Sequence, residues 1–199
     1  MLTAHSTKSR EKILQAAFDV LSQQGYENTS IKDIAEHAGV AQGLVHYYFK
    51  SKQQLVLAVL EFVCDKVEFG TTGEEGAVQA FEQTKAMLRD PESRRANALY
   101  VQLMGVGLHD DAIGAGVRDF IAAERTHITE LAGQVFKERD QDPSPARGIA
   151  SVVWAAVLGI MIQGLVDPDF DTDEAVDTLA AMSLTAVFPS APTRAAREA

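Results

Sequence analysis

Residues 41–52 bring amide, imidazole, phenol and ammonium groups together within twelve positions. An amide such as that of Gln42 can read the edge of a base, and hydroxyl, imidazole and ammonium groups can contact phosphates. Small residues such as Ala41 and Gly43 permit a close approach to DNA. The candidate DNA contacts are Thr29, Ser30, Ala41, Gln42, Gly43, His46, Tyr47, Tyr48, Lys50 and Lys52.

The surrounding stretch, residues 29–52, has the pattern of two short helices joined by a tight turn. Ser30 and Asp33 have the spacing of a capping box, and Gly39 has the residue type that ends helices. An ordinary helical hairpin with an aromatic core is the alternative. The aromatic run, the lysines and a second capping box at Ser51 and Gln54 follow in one order, which favours a helix-turn-helix.

These residues closely resemble the N-terminal domain of TetR-type transcriptional regulators. The resemblance rests on Gly25-Tyr26, Thr29-Ser30-Ile31, Asp33-Ile34-Ala35, Ala38-Gly39-Val40, Gly43, Tyr48-Phe49, Lys52 and Leu55. It implies a three-helix DNA-binding head. That family usually has tyrosine where this chain has His46, so a phosphate contact at this position is either absent or sensitive to pH.

Composition and charge indicate a soluble protein whose acidic residues lie mostly in its C-terminal part. The net charge is −10, but residues 1–53 hold six basic against five acidic side chains. A near-neutral head with local lysines predicts weak nonspecific and salt-dependent DNA binding. The single cysteine excludes an internal disulfide. With no signal peptide and an apolar run of only residues 152–162, we expect a cytoplasmic protein that spans no membrane.

Apolar spacing along the chain predicts an all-α fold of about nine helices. The first runs from about Ser9 to Gln24 and ends at Gly25. We divide the chain into a DNA-binding helix-turn-helix domain, residues 1–50, and a ligand-binding and dimerisation domain, residues 51–199. The helix that starts at residue 51 links the two, and residues 189–199 have the composition of a disordered tail.

A set of aromatic, sulfur-containing and polar residues in the second domain could line a cavity for an apolar or amphipathic molecule. Each one alone is equally compatible with an ordinary core position. Glu124 lies on an apolar stripe and needs a partner. Arg118, Arg125 or His127 could supply one, or Glu124 and His127 could anchor a ligand. The candidate pocket residues are Phe81, Tyr100, Met104, Phe120, Glu124, His127, Trp154 and Met161.

The last two helices are apolar over wide arcs and are joined by an acidic turn. We expect them to form a four-helix bundle with a second copy across a two-fold axis. The alternative is that they only complete the core of a monomer. Residues 154–170 resemble the branch of the TetR-type family that includes the choline-pathway (betaine) repressor. The candidate dimer contacts are Val152, Ala156, Gly159, Ile160, Val176 and Leu179.

The sequence contains no recognisable catalytic triad, HExxH motif or metal-binding cluster, so we expect neither an enzyme nor a cofactor or metal site. The interpretation is a sequence-specific DNA-binding regulator that binds a palindromic double-stranded operator as a homodimer. We expect a repressor that an unknown small-molecule effector releases. An activator with the same head is one alternative, and a helical small-molecule or lipid-binding protein without operator binding is another.

Overall fold

The computed structural model describes the backbone of residues 2–64 and 73–187 and the side chains of residues 7–63 and 73–185. The described residues contain nine helices and no strand, which confirms the expected all-α fold. In chain order the helices are α1 (Leu2–Asn28), α2 (Ile31–Ala38), α3 (Gln42–Tyr48), α4 (Lys52–Cys64), α5 (Gly73–Arg89), α6 (Pro91–Gly107), α7 (Asp111–Glu138), α8 (Ala146–Val166) and α9 (Thr172–Val187). The predicted tail, residues 189–199, lies outside the described residues.

The chain divides into two compact units. The first consists of Met1–Glu68 with Pro91–Asp119, and the second of Phe69–Asp90 with Phe120–Ala199. The first unit therefore contains α6 and the start of α7 in addition to α1–α4. This division by packing differs from the boundary at residue 50 that we drew from the motif. The assignment of DNA binding and ligand binding to residues 1–50 and 51–199 stays a prediction.

The first unit is built around α1. Ile13, Leu14, Phe18 and Leu21 on its inner face are at most 1% exposed, and α2, α4 and α6 pack around it with buried faces of their own. Helix α1 begins at Leu2, earlier than the predicted Ser9. Its regular part ends at Gly25, whose φ of 79° lies in the region that favours glycine. Arg95 on α6 also bonds to Asp19 on α1 at 3.2 Å.

The second unit packs α9 against α8 and against α5. Its larger core cluster consists of Val153, Val157, Ile160, Val176 and Leu179. Two exposed ion pairs join α5 to α9: Lys85 with Asp177 at 2.7 Å, and Arg89 with Asp173. Such exposed pairs stabilise a fold little, so the contacts of Phe81 and Leu88 on α5 with the apolar cluster contribute more to holding α5 in place.

Candidate DNA-binding surface and ligand cavity

Local hydrogen bonds fix the turn between α2 and α3. The Asp33 amide donates to Ser30 Oγ at 3.2 Å, and the Ser30 amide donates to the Asp33 carboxylate at 2.8 Å, which is the predicted capping box. Gly39 ends α2 with φ 61° and ψ 40°, and the Val40 amide donates to the Ala35 carbonyl at 3.0 Å. These caps hold the first turn of α3 at the surface of the unit.

Helix α3 and its N-cap residue present five of the ten predicted DNA contacts to solvent. Ala41, Gln42, Gly43, His46 and Tyr47 are all exposed, and the Tyr47 side chain is 78% accessible. The Gln42 amide nitrogen lies 3.4 Å from His46 Nε2, one helical turn away. Exposed amide, imidazole and phenol groups on one short helix match what base and phosphate contacts require.

Four further candidates lie near this helix in different environments. Ser30 and Lys50 are exposed. Tyr48 is half-buried between the rings of Tyr47 and Phe49, at centroid distances of 5.2 and 6.3 Å. The Lys52 ammonium donates to the Tyr26 carbonyl and lies 4.1 Å from the centre of the Tyr26 ring. Burial lowers the pKa of Lys52. In this structure Lys52 fastens the start of α4 to the end of α1.

The structure corrects the prediction for Thr29. Its side chain is only 3% exposed, and its hydroxyl donates to the Gly25 carbonyl at 2.8 Å. A buried hydroxyl that already donates to the backbone has no proton left for a phosphate. Thr29 therefore holds the turn between α1 and α2 and is not on the exposed surface.

A cavity of about 110 Å³ lies within the second unit, between α5, α7, α8 and α9. Four of the eight candidate pocket residues line it: Phe81, Glu124, His127 and Trp154. The other lining residues are Ala77, Ala80, Thr84, Ile128, Leu131, Ala132, Val135, Ile149, Val153, Val157, Ser183 and Leu184. Most of these are aliphatic and do not stand out in the sequence, because the same side chains are typical of an ordinary helical core.

The other four candidate pocket residues do not line this cavity. Tyr100 and Met104 lie on α6, which belongs to the first unit, and Tyr100 is buried there. Phe120 packs its ring 6.3 Å from that of Trp154, and Met161 is buried. Spacing along one helix identifies an inner face but does not say which neighbour that face meets.

Glu124 is the acidic group of the cavity. None of the described residues forms a hydrogen bond or an ion pair with its carboxylate. The predicted structural partners Arg118, Arg125 and His127 therefore do not neutralise it. Burial raises the pKa of Glu124. Trp154 Nε1 is also buried without a hydrogen-bond partner among the described residues.

Helix α8 has two apolar faces. The inner face packs within the chain, whereas a second face with alternating steps of four and three residues is turned away from that core. Val152 and Val166 on this outer face are 69% and 79% exposed. A side-chain atom added at Gly148 or Gly159 would meet no other atom within 4 Å. The outer face consists of Gly148, Val152, Ala155, Gly159, Ile162 and Val166.

Three of the six predicted dimer contacts are buried within one chain, and the dimer contacts as a set stay a prediction. Ile160, Val176 and Leu179 are buried in the core cluster of one chain, and Ala156 packs against that cluster. Val152 and Gly159 do lie on the outer face of α8. The outer face also contains Ala155, Ile162 and Val166, which are not among the predicted contacts, and Met182 on α9 is 66% exposed. A spacing of 3.5 residues in α8 was the signal for the first three.

Helix α8 also corrects the estimate of apolar length. It has 21 residues and, in the described part of the chain, is the one helix long and apolar enough to cross a membrane by length and composition. The uninterrupted apolar run of residues 152–162 is shorter than this apolar helix.

Where side chains are described, no three His, Cys, Asp or Glu residues are placed to hold a metal ion.

Comparison with known proteins gives two family matches. Residues 13–59 match the profile described as bacterial regulatory proteins, tetR family, and residues 81–188 match that of the BetI-type transcriptional repressor, C-terminal. The chain is 51% identical over 51 residues to the HTH-type regulator YvdT of Bacillus subtilis. It is 45% identical over 56 residues to the HTH-type regulator RutR of Escherichia coli. Each alignment covers 26% of the relative's length.

A solved structure extends the likeness along the chain. A putative TetR-family transcriptional regulator from Rhodococcus sp. superimposes with a TM-score of 0.72 at 25% identity, covering 91% of this chain and 98% of that one. The alignments with YvdT and RutR thus cover 26% and 28% of this chain, whereas the structural neighbour has the same architecture over 91% of it.

Proposed function

Because the chain belongs to the TetR family of bacterial regulatory proteins and has a C-terminal region of the BetI repressor type, we propose that it is a homodimeric transcriptional repressor that a small molecule releases from a palindromic operator. The family match over residues 13–59 favours this DNA-binding regulator over a helical carrier without operator binding. Since the matched families are regulators, we infer that the chain is not an enzyme. The observation that carries the proposal is the exposed polar surface of α3.

The DNA contacts are divided by chemistry. Gln42 is the candidate for base reading, because its amide can both donate to and accept from a base edge. His46, Tyr47 and Lys50 are candidates for phosphate contacts, which fix the register of the head on the duplex. Ala41 and Gly43 keep the first turn of α3 narrow enough to approach the groove. Two such heads require half-sites about one DNA turn apart or a multiple of it.

The outer face of α8 supports the homodimer. A stripe of small and β-branched residues with a 3.5-residue spacing is the pattern by which helices pack against each other at close distance. Burial of this stripe against a second copy would remove Val152 and Val166 from water. The same apolarity makes α8 resemble a membrane helix in composition, so self-association explains it without a membrane.

Effector coupling is assigned to α7, which contributes residues to both units. Its later part lines the cavity with Glu124 and His127. Its first part lies in the other unit, where Gly116 packs on Leu57 of α4. The ligand shifts the equilibrium only by its differential affinity for the two states, a coupling of typically ~1–3 kcal/mol. We propose that ligand binding moves α7 and thereby α4, whose first residues follow α3 directly.

Binding to DNA from immediately upstream of its own gene tests the proposal. We place the protein in the cytoplasm, as expected for a bacterial regulator. Purified protein is therefore titrated onto this DNA at cytoplasmic pH and at two salt concentrations. Specific retention as a dimer that weakens with salt is expected. If scans of other promoter fragments at low salt also show no specific binding, the proposal of operator binding is wrong.

A further inference from the structure

Among the described residues, the cavity of the second unit has one carboxylic acid in a mainly apolar lining, in which Thr84, His127 and Ser183 are the other polar residues. Glu124 lies there beside Phe81 and Trp154, and no described residue bonds to its carboxylate. Glu124 is half-buried, and a carboxylate that is partly removed from water gains from a bound group that donates a hydrogen bond to it. The position therefore calls for a donor that is not part of the described chain.

The basic side chains nearby do not supply that donor. The cavity lining contains no lysine and no arginine. Lys85, next to the lining residue Thr84, bonds instead to Asp177 at 2.7 Å and to Glu82 at 2.8 Å. Arg125 follows Glu124 in sequence but is exposed to solvent. The uncompensated negative charge of Glu124 would therefore repel an anionic ligand and attract a cationic ligand.

The remaining lining defines the body of the ligand. Aromatic rings of Phe81 and Trp154 and aliphatic side chains such as Val153 and Ile128 surround the space. An apolar cavity of about 150 Å³ binds benzene, so a cavity of about 110 Å³ suits a small apolar group. Aromatic rings also attract a nearby cation through their π faces.

We propose that the cavity binds a protonated amine with a small apolar body, which donates an N–H to Glu124 and packs against Phe81 and Trp154. The inference rests on the proposed function in so far as this amine is the effector. The hydrogen bond between an ammonium and a carboxylate is among the strong ones, because both partners carry charge. A neutral alcohol of the same shape can bond to the carboxylate but cannot balance its charge.

The pH dependence of binding follows from the groups that face the cavity. These are Glu124 and His127, both on α7, because the lining residues of α5, α8 and α9 are not ionisable. Burial raises the pKa of Glu124, so the amine competes with a proton for the carboxylate. Amine affinity therefore increases with pH until Glu124 is ionised. Affinity decreases again above the pKa of the amine itself.

Calorimetric titration of the full chain with three matched probes tests the proposal. Benzylamine, benzyl alcohol and benzoate share a ring but differ in charge. We expect benzylamine to bind about tenfold more tightly than benzyl alcohol, and benzoate to bind most weakly. The variant Glu124→Gln should lose the preference for the amine, while the control Ser183→Ala, another polar lining residue, should keep it.

Several results would overturn the assignment. Equal binding of amine and alcohol, tighter binding of benzoate, or an unchanged preference in Glu124→Gln would each show that Glu124 is not a cation anchor. Failure of all three probes and of the smaller isobutylamine to bind the wild-type chain would contradict a cavity for small amines. Circular dichroism of Glu124→Gln establishes that a lost preference does not reflect a lost fold.

Operator release is measured separately, so that the ligand class and the effector role can fail independently. If benzylamine binds but does not release the protein from the operator in a Glu124-dependent manner, the ligand class is supported and the effector role is contradicted. Protein that binds benzylamine but no DNA contradicts the proposed regulator and leaves the amine site in place. Release by benzylamine in wild type but not in Glu124→Gln supports both.

Discussion

The backbone of Gly116 on α7 lies directly against the side chain of Leu57 on α4. A Cβ atom built at position 116 would overlap Leu57 Cγ and both of its methyl groups. The two helices therefore touch at a distance that only glycine allows while Leu57 keeps its place. In the proposed mechanism this contact transmits a movement of α7 to α4.

The first prediction concerns this contact. Gly116→Ala should destabilise the wild-type chain by about 1–3 kcal/mol, because overpacking forces Leu57 or the helices to move. In a Leu57→Ala background the same substitution should instead stabilise, by up to about 1 kcal/mol, because alanine favours helix over glycine. Denaturant unfolding of the four proteins measures the coupling. Strictly additive changes would show that the two residues do not restrict each other.

The second prediction concerns the first turn of α3. A side chain at position 43 meets nothing within 4 Å, so Gly43→Glu should fold and dimerise normally. Operator affinity should nevertheless decrease about tenfold or more, since a bulky anion would face phosphates and base edges. Fluorescence anisotropy with labelled operator measures the affinity.

Gly43→Gln is the matched control for this position, because it has the same size without the charge. It should retain more affinity than Gly43→Glu at low salt. Normal operator binding by Gly43→Glu would mean that α3 does not enter the groove with this turn.

The third prediction concerns the capping box. Hydrogen bonds from the Ser30 side chain and backbone hold the pKa of Asp33 below its ordinary value. An acid with a lowered folded-state pKa stabilises the fold fully above its unfolded pKa of about 3.9, and this stabilisation is lost as pH falls through the lowered pKa. Ser30→Ala should raise the pKa of Asp33 towards its ordinary value. NMR titration of the Asp33 carboxyl in both proteins measures the change, and an unmoved pKa would contradict the assigned cause.

The fourth prediction concerns the outer face of α8. Val152→Asp should weaken the dimer about tenfold or more, because each interface would then bury two carboxylates without partners. Sedimentation equilibrium measures the dissociation constant. Val78→Asp on α5 is the matched control, since Val78 is also an exposed valine, at 47%, but lies outside the proposed face. Dissociation caused equally by both variants would place the interface elsewhere.

The fifth prediction concerns the stability cost of the unpartnered acid. The pKa of Glu124 is raised in the folded chain, so ionisation of this group above its unfolded pKa of about 4.3 destabilises the fold. Glu124→Gln should therefore increase the melting temperature at neutral pH. The difference should shrink as pH falls towards the unfolded pKa, where both folded and unfolded chains hold the proton. A destabilised Glu124→Gln at neutral pH would show that Glu124 has a structural partner.

Local signals determined the DNA-binding surface from the sequence. The capping box of Ser30 and Asp33 and the glycine stop at Gly39 depend on neighbours within five residues, so that chain order alone specifies them. Gln42 and His46 are exposed because they lie on α3, and the caps of α2 determine where this short helix begins.

Only the tertiary structure decided which inner faces meet. Tyr100 and Trp154 are similar candidates in the sequence, yet α6 packs in the first unit, whereas Trp154 lines the cavity of the second. Ile160 and Val152 are both apolar residues of α8, but one is buried in its own chain and the other points to water. The physical reason is that periodicity defines a face of a helix, while the partner of that face depends on residues far away in the chain. The missing partner of Glu124 is such a case, because Arg118, Arg125 and His127 lie close in sequence and still do not neutralise it.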